Sequence, residues 1–337
     1  MAHDRQLCAR FLHLVDRFET CRMAVIGDLI ADQFLYGRIA RVSREAPVLV
    51  LQYRNLVQLP GGAANAANNL LALDCRTSIV GAIGFDPAGE SLVAFLKGRG
   101  ADVSLVARVA DYATPVKTRI LAGAHHSAPQ QVVRVDREAH LPGAAPVPGN
   151  RLGRMLGRMH GIILSDYGYG AVAGPMTEAV RRAARQKRIP LVVDSRFRMD
   201  GFHGVTSMTP NITELEAAAG IDIGGDAALL HKVARRVLKR QDLESVLVTQ
   251  GRFGMTLIQS RRAPVQIPVY GTDEVADVTG AGDTVIAVFT LALACGASHP
   301  EAARLANYAG GIVVMKRGTA TVNREELRAA ITRDLAG

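Results

Sequence analysis

The second half of this chain alternates short apolar runs with segments of helical spacing, and few folds accept that pattern. Residues 161–165, 190–194, 205–209 and 244–249 are the runs. Their length and the helical segments between them predict an α/β fold, with a mostly parallel sheet covered by helices. Each run leads into polar residues: Asp166, Asp194 with Arg196, Asn211, and Thr249 with Gly251. One polar strand end means little. Four on one edge predict a cleft, because open α/β sheets bind ligands beyond the carboxyl ends of their strands.

The first half supplies the start of the sheet and a separate β-rich insert. Leu7, Phe11, Leu14, Val15 and Phe18 predict an amphipathic first helix, and residues 23–28 a buried strand ending in Gly27-Asp28. Asp28 and Asp32 suit either sugar hydroxyls or a polar turn. Residues 33–59 read as a strand pair that would form a lid or an interaction surface. Pro60-Gly61-Gly62-Ala-Ala-Asn65 opens a helix to about Leu73. Its glycines would admit a ligand to the backbone, or only make a turn. A strand at 78–83 and a helix at 87–98 follow. Residues 117–121 and 131–135 predict a second strand pair bearing Lys117, Arg119, Arg134 and Asp136. Those charges suit a phosphate clamp or a solvated strand face. His125 and His126 lie between the two strands without further ligands at metal spacing, which predicts an exposed loop.

Late in the chain, Asp277-Val-Thr-Gly-Ala-Gly-Asp283-Thr284 runs into an apolar helix at 285–295. A helix start leaves backbone N–H groups unpaired and carries partial positive charge. Gly280 and Gly282 would let an anion approach those groups, with Asp283 beside it. That arrangement suits a hydroxyl losing its proton while phosphate charge develops nearby. Asp283 as a simple N-cap is the alternative. Asn211-x-x-Glu214 has capping-box spacing and is also compatible with a Mg²⁺ role for Glu214 through water. Thr249-Gln-Gly251 is placed to cradle a nucleotide phosphate. No P-loop, His-Glu-x-x-His or Gly-x-Ser-x-Gly motif occurs.

The net charge of +9 is scattered, with pairs such as Arg181-Arg182 but no basic tail. It suits phosphorylated small substrates better than nucleic acid. The longest apolar run, 285–295, is too short to span a membrane. Cys8, Cys21, Cys75 and Cys295 form no C-x-x-C pair, and charged residues break up the N-terminal apolar positions. Both features predict a cytoplasmic protein with reduced thiols.

Taken together and in this order, the stretches at 60–65, 211–214 and 277–283 resemble the ribokinase-like (PfkB) carbohydrate kinases. The likeness runs from about Met23 to Val322. Within that family the chain is similar to the kinases that phosphorylate D-glycero-β-D-manno-heptose 7-phosphate at the anomeric oxygen. Gly27-Asp28-x-x-x-Asp32, Arg41-Val-Ser-Arg-Glu-Ala-Pro47-Val, Leu164-Ser-Asp-Tyr167 and 277–286 carry that likeness. Many such kinases are fused to a cytidylyltransferase; this chain is similar to the stand-alone form. Kinases of the same fold acting on fructose 6-phosphate, ribose or a nucleoside are the alternative, and a non-catalytic sugar- or nucleotide-binding protein is a further one.

The resemblance implies one ribokinase-like domain over residues 1–337, with lid strands at about 33–59 and 111–137, and a homodimer formed through the lid. It implies Asp283 as general base and Gly280, Ala281 and Gly282 as the anion hole. ATP would fall to Asn211, Glu214, Thr249, Gly251, Gly254 and Asn307, with Mg²⁺ near Glu214. Asp28, Asp32, Gly61, Gly62 and Asn65 would hold the sugar, with Asp166, Asp194 and Arg196 beside it. Arg44, Lys117, Arg119, Arg134 and Asp136 would surround the 7-phosphate. Asp277 and Thr279 match a loop that binds a monovalent cation such as K⁺. Two positions depart from the family pattern: Tyr169 and Ser195-Arg196 stand where lysine and Pro-Lys are expected. Arg keeps the charge of lysine but not its geometry.

Overall fold

Alternate side chains along each central strand go to opposite layers, and this sorting builds the body of the protein. The computed structural model describes residues 2–123, 129–143, 145–271, 277–316 and 318–336. The first part contains α1 (Ala2–Asp16), β1 (Arg22–Gly27), β2 (Leu29–Val42), β3 (Leu49–Gly62), α2 (Ala63–Ala72), β4 (Arg76–Gly84) and α3 (Pro87–Gly98). β5 (Asp102–Val109), β6 (Val116–Gly123), β7 (Gln130–Arg137), α4 (Gly149–Leu156), β8 (Gly161–Asp166), α5 (Pro175–Lys187), β9 (Leu191–Ser195) and β10 (Ser207–Met208) follow. The last part holds α6 (Ile212–Ala219), α7 (Ala227–Arg240), β11 (Ser245–Thr249), β12 (Met255–Gln259), β13 (Val265–Ile267), α8 (Ala281–Ala294), α9 (His299–Val314) and α10 (Arg324–Ala336).

The main sheet has nine strands in the order β13-β12-β11-β10-β9-β8-β1-β4-β5. Neighbours from β11 to β5 are parallel, and β12 and β13 extend the sheet antiparallel. Met23, Val25, Ile163, Val192 and Leu247 pack into one core with α8 and α9. Their strand neighbours Ala24, Ile26, Ile162, Leu164, Val193 and Val246 pack into the other, with α5 and α7. Both faces are therefore apolar, which is why these strands read as continuous runs.

Three strands escaped that reading. β5 is an edge strand with only two buried positions, and β12 and β13 lie beyond the parallel region. The run at 205–209 shrinks to β10, because Pro210 has no N–H with which to continue a ladder. α8 begins at Ala281, four residues before the apolar run, so Gly282, Asp283 and Thr284 lie in its first turn.

β2 and β3 form a long antiparallel ribbon, to which β6 and β7 add in a four-stranded sheet ordered β3-β2-β6-β7. The ribbon leaves the body immediately after β1 and returns into α2. Cys8, Cys21, Cys75 and Cys295 are buried free thiols. Among the described residues no helix is long and apolar enough to cross a membrane. His125 and His126 lie outside the described residues.

Phe289, fully buried in α8, ties that helix to the core. Phe289→Ala should cost about 3–5 kcal/mol, measured as a shift in the urea unfolding midpoint.

Candidate active site

Gly280 caps α8 with φ +81°, a left-handed conformation suited to glycine. A Cβ there would stand 2.5 Å from Asn65 Nδ2, so a side chain is excluded by packing as well. A Cβ on Gly282 would meet only open space. The Ala281 N–H donates to Val278 O at 3.2 Å, which removes it from the expected anion hole. The N–H groups of Gly282 and Asp283 find no acceptor among the described residues. These are the donors left for an anion at the helix start.

Asp283 is not the cap; it is the third helical residue and 4% exposed. Asn65 Nδ2 donates to its Oδ2 at 2.8 Å, and the Tyr167 hydroxyl donates to its Oδ1 at 3.2 Å. Asn69 fixes the Asn65 amide by donating to the Asn65 side-chain oxygen at 3.3 Å, and Thr284 donates to Asn69 at 2.9 Å. Burial, aided by the charge of Asp32, pushes the Asp283 carboxyl up to about 7, even though the bonds from Asn65 and Tyr167 and the charge of Lys117 oppose the rise. A carboxyl that titrates near neutrality can accept and return a proton there. In the sequence Tyr167 stands out only as part of the 164–167 likeness, without a role at the site. Its place at the end of an apolar run was the available signal.

Asp28 and Asp166, both expected at the sugar, carry bonds within the chain. Asp28 is 1% exposed and accepts the backbone N–H groups of Tyr167, Tyr169 and Ala171 at 2.8, 3.1 and 2.9 Å. Its carboxylate holds the loop that presents Tyr167, and three of its roughly four acceptor positions are taken by that loop. Asp166 binds Arg198 Nη2 at 2.6 Å and Ser195 Oγ at 2.8 Å. Arg198, missed in the sequence, takes up that charge. The close approaches at Gly61 and Gly62 are made by the chain itself, through the Asp32 carboxylate and the Asp28 carbonyl. Tyr169, standing at an expected lysine, directs its hydroxyl to Glu138 at 3.3 Å.

The lid sheet is two-faced. Register places Asp136, Lys117 and Asp32 in one row across β7, β6 and β2, and Arg134, Arg119 and Phe34 in the next row on the same side. Arg119 pairs with Asp32 at 3.0 Å, and Arg134 pairs with Asp136. Lys117 stands 4.6 Å above the Tyr167 ring, 7% exposed and without a hydrogen bond or ion pair among the described residues. Burial and the nearby Arg196 hold its ammonium below the ordinary lysine value. Arg44 lies past the far end of the ribbon, exposed, and does not join this group within the chain.

Two cavities flank the site. Asp166, Asp194, Arg196, Asn211 and Glu214 line one of about 440 Å³. Thr249, Gly251, Gly254, Asn307, Ala281 and Gly282 line the other, an apolar hollow of about 170 Å³. Asn211 and Glu214 form the predicted capping box, with bonds of 2.8 and 2.9 Å. Burial raises the Glu214 carboxyl. Burial and repulsion from Glu214, Asp283 and Asp166 push Asp194 well above the carboxylate range. Two crowded carboxylates fit a hard divalent cation, which would relieve their repulsion. Among the described residues, no three His, Cys, Asp or Glu side chains form a complete metal site, so such an ion would need water or substrate oxygens as well. Asp277 accepts the Thr279 and Gly318 N–H groups at 2.9 and 3.1 Å, which orders the loop before α8.

Residues 22–326 match the family described as pfkB family carbohydrate kinase. The bifunctional protein HldE of Geobacter metallireducens is 42% identical over 90% of this chain and 61% of its own length. That of Pseudomonas entomophila is 39% identical over 94% and 65%. The chain thus spans less than two thirds of these relatives. Among solved structures, Arabidopsis thaliana ribokinase complexed with ribose and ATP matches with TM-score 0.72 and 20% identity, over 92% of this chain and 98% of that one. Phosphofructokinase-2 from Escherichia coli in complex with potassium matches with TM-score 0.70 and 19% identity, over 94% and 99%. At these identities the likeness is one of fold.

Replacing either donor should move the Asp283 titration upward, because each bond favours the ionised form. Isotope-edited infrared spectroscopy of the carboxyl band should show a higher midpoint in Asn65→Ala and Tyr167→Phe, and a lower one in Asp32→Asn.

Proposed function

The chain belongs to the pfkB family of carbohydrate kinases, and from that premise we propose that it phosphorylates D-glycero-β-D-manno-heptose 7-phosphate at O1. The product would be the 1,7-bisphosphate, a precursor of lipopolysaccharide core heptose, with ATP as donor. The observation that carries the reading is Asp283: a buried carboxyl titrating near neutrality, beside free helix-start N–H groups, between a polar cleft and an apolar hollow. The relatives named HldE, of which this chain matches a part, support the choice of sugar.

In this mechanism Asp283 accepts the proton of the anomeric hydroxyl as its oxygen attacks the γ-phosphoryl group. Asn65 and Tyr167 hold the carboxylate in place. The N–H groups of Gly282 and Asp283 stabilise the charge that develops on the transferring group. The hollow bounded by Thr249, Gly251, Gly254 and Asn307 receives the nucleotide. Mg²⁺, when bound, neutralises phosphate charge; Asp194 and Glu214 would hold it, Glu214 through water. Asp277 and Thr279 are our candidates for a monovalent cation. On the lid, Lys117 faces the 7-phosphate as the unpaired cation, flanked by Arg119 and Arg134, with Arg196 across the cleft. A neutral sugar would not need this density of positive charge.

The opposite lid face is apolar: Leu56, Leu35, Ile120 and Val133 form a row across it, and Leu56, Val133 and Val135 are exposed. We propose that two copies pair there, which would also explain the distance of Arg44 from its own site.

Asp283→Asn should lower kcat by about a hundredfold or more, in a coupled ADP assay on a folded variant. The free-enzyme kcat/KM should rise with pH through about 7, as Asp283 loses its proton. A panel of the heptose 7-phosphate, fructose 6-phosphate and ribose tests the sugar, and faster turnover of either of the last two would displace this reading. Sedimentation should show a dimer that Val133→Glu/Val135→Glu converts to monomers.

A further inference from the structure

A second concentration of charge lies at the other edge of the main sheet. Arg22 opens β1, Ser78 and Asp102 lie near the starts of β4 and β5, and Arg151, Arg154 and Arg158 lie on α4 and just after it. These residues line a cavity of about 300 Å³. β1 runs its full length of six residues, about 20 Å, between this edge and the catalytic edge, so a molecule in the cavity cannot touch Asp283.

Among the described residues, the arginines here pair with no carboxylate, unlike several elsewhere in the chain. Arg10, Arg108, Arg119, Arg134, Arg137 and Arg198 each meet a carboxylate within 3.2 Å. In the cavity, Arg151 donates to the Ser104 carbonyl at 3.1 Å. The Arg22, Arg154 and Arg158 side chains have no hydrogen-bond or ion-pair partner among the described residues. The one carboxylate present, Asp102, accepts from Ser78 Oγ at 3.3 Å and from the Ser104 N–H at 3.0 Å. The helix dipole favours a cation at Arg154, in the last turn of α4, but it does not account for the other three. Four guanidinium groups around one concavity with a single carboxylate leave an excess of positive charge there, and their planar donor forks match phosphate oxygens.

We propose that this cavity is a second ligand site, taking a small phosphorylated molecule at the edge remote from catalysis. Its concave shape and size favour a compact phosphoanion over a membrane surface or an extended polymer. The site stands independently of the sugar assigned to the catalytic edge.

The test is calorimetric titration of the full chain with inorganic pyrophosphate, at low ionic strength and without divalent metal. Arg154→Ala/Arg158→Ala is the variant, since both side chains are exposed and lie away from the catalytic edge. The wild type should show a saturable site whose affinity falls at least about tenfold in the variant, in line with losing two charge-assisted contacts. Arg154→Lys/Arg158→Lys should keep part of the affinity. Unchanged kcat and melting temperature in the variant, measured without pyrophosphate, confirm that fold and catalytic edge are intact; if either changes, Arg154→Gln and Arg158→Gln are titrated singly. Equal binding by wild type and variant would overturn the proposal. So would binding that never saturates, or binding seen only with anionic lipid vesicles.

Discussion

The site depends on keeping one carboxyl, that of Asp283, out of water while leaving it able to ionise. Burial alone would hold it protonated, and full exposure would make it too weak a base. The two hydrogen bonds set the balance. Asn65 comes from the start of α2 and Tyr167 from the end of β8, so two distant parts of the chain fix a group on a third. Much of the surrounding polar structure serves this arrangement. Asn69 and Thr284 lock the Asn65 amide, and Asp28 holds the loop of Tyr167.

The division of labour between sheet edges follows from the parallel order of the strands. All their carboxyl ends lie on one side, so Asp28, Asp166, Asp194 and Thr249 are gathered there without any local sequence relation. Crowding of carboxylates along that edge is costly. The chain offsets it with Arg198 on Asp166, with backbone amides on Asp28 and with Arg119 on Asp32. Asp194 and Glu214 repel one another and, among the described residues, have only the Asn211 amide and the charge of Arg196 to offset it, which sets them apart as the pair suited to a cation.

The sequence revealed the sheet, the helix order and the lid because each rests on periodicity or on turn chemistry. It could not reveal which groups of the chain itself each polar strand end meets. Asp28 and Asp166 read like binding residues, since a carboxylate after an apolar run looks the same whether it meets a ligand or a loop amide. The roles of Tyr167 and Arg198 were missed for the converse reason: their partners are 116 and 32 residues away, and no local pattern records such a pairing. The capping box at Asn211 and Glu214 was legible because both halves of it lie within one helical turn. β5 and β12 were obscure because edge and antiparallel strands lack the unbroken apolar signature of the interior ones.

The ribbon that forms the lid has two roots. One follows Asp28, the residue that grips the Tyr167 loop; the other is Gly62, which leads into the helix that bears Asn65. Each root thus adjoins one of the two donors to the Asp283 carboxyl. The base of the ribbon and the two groups that bond the Asp283 carboxyl therefore share the same short stretches of chain, and the cover of the cleft is anchored where its acid is held.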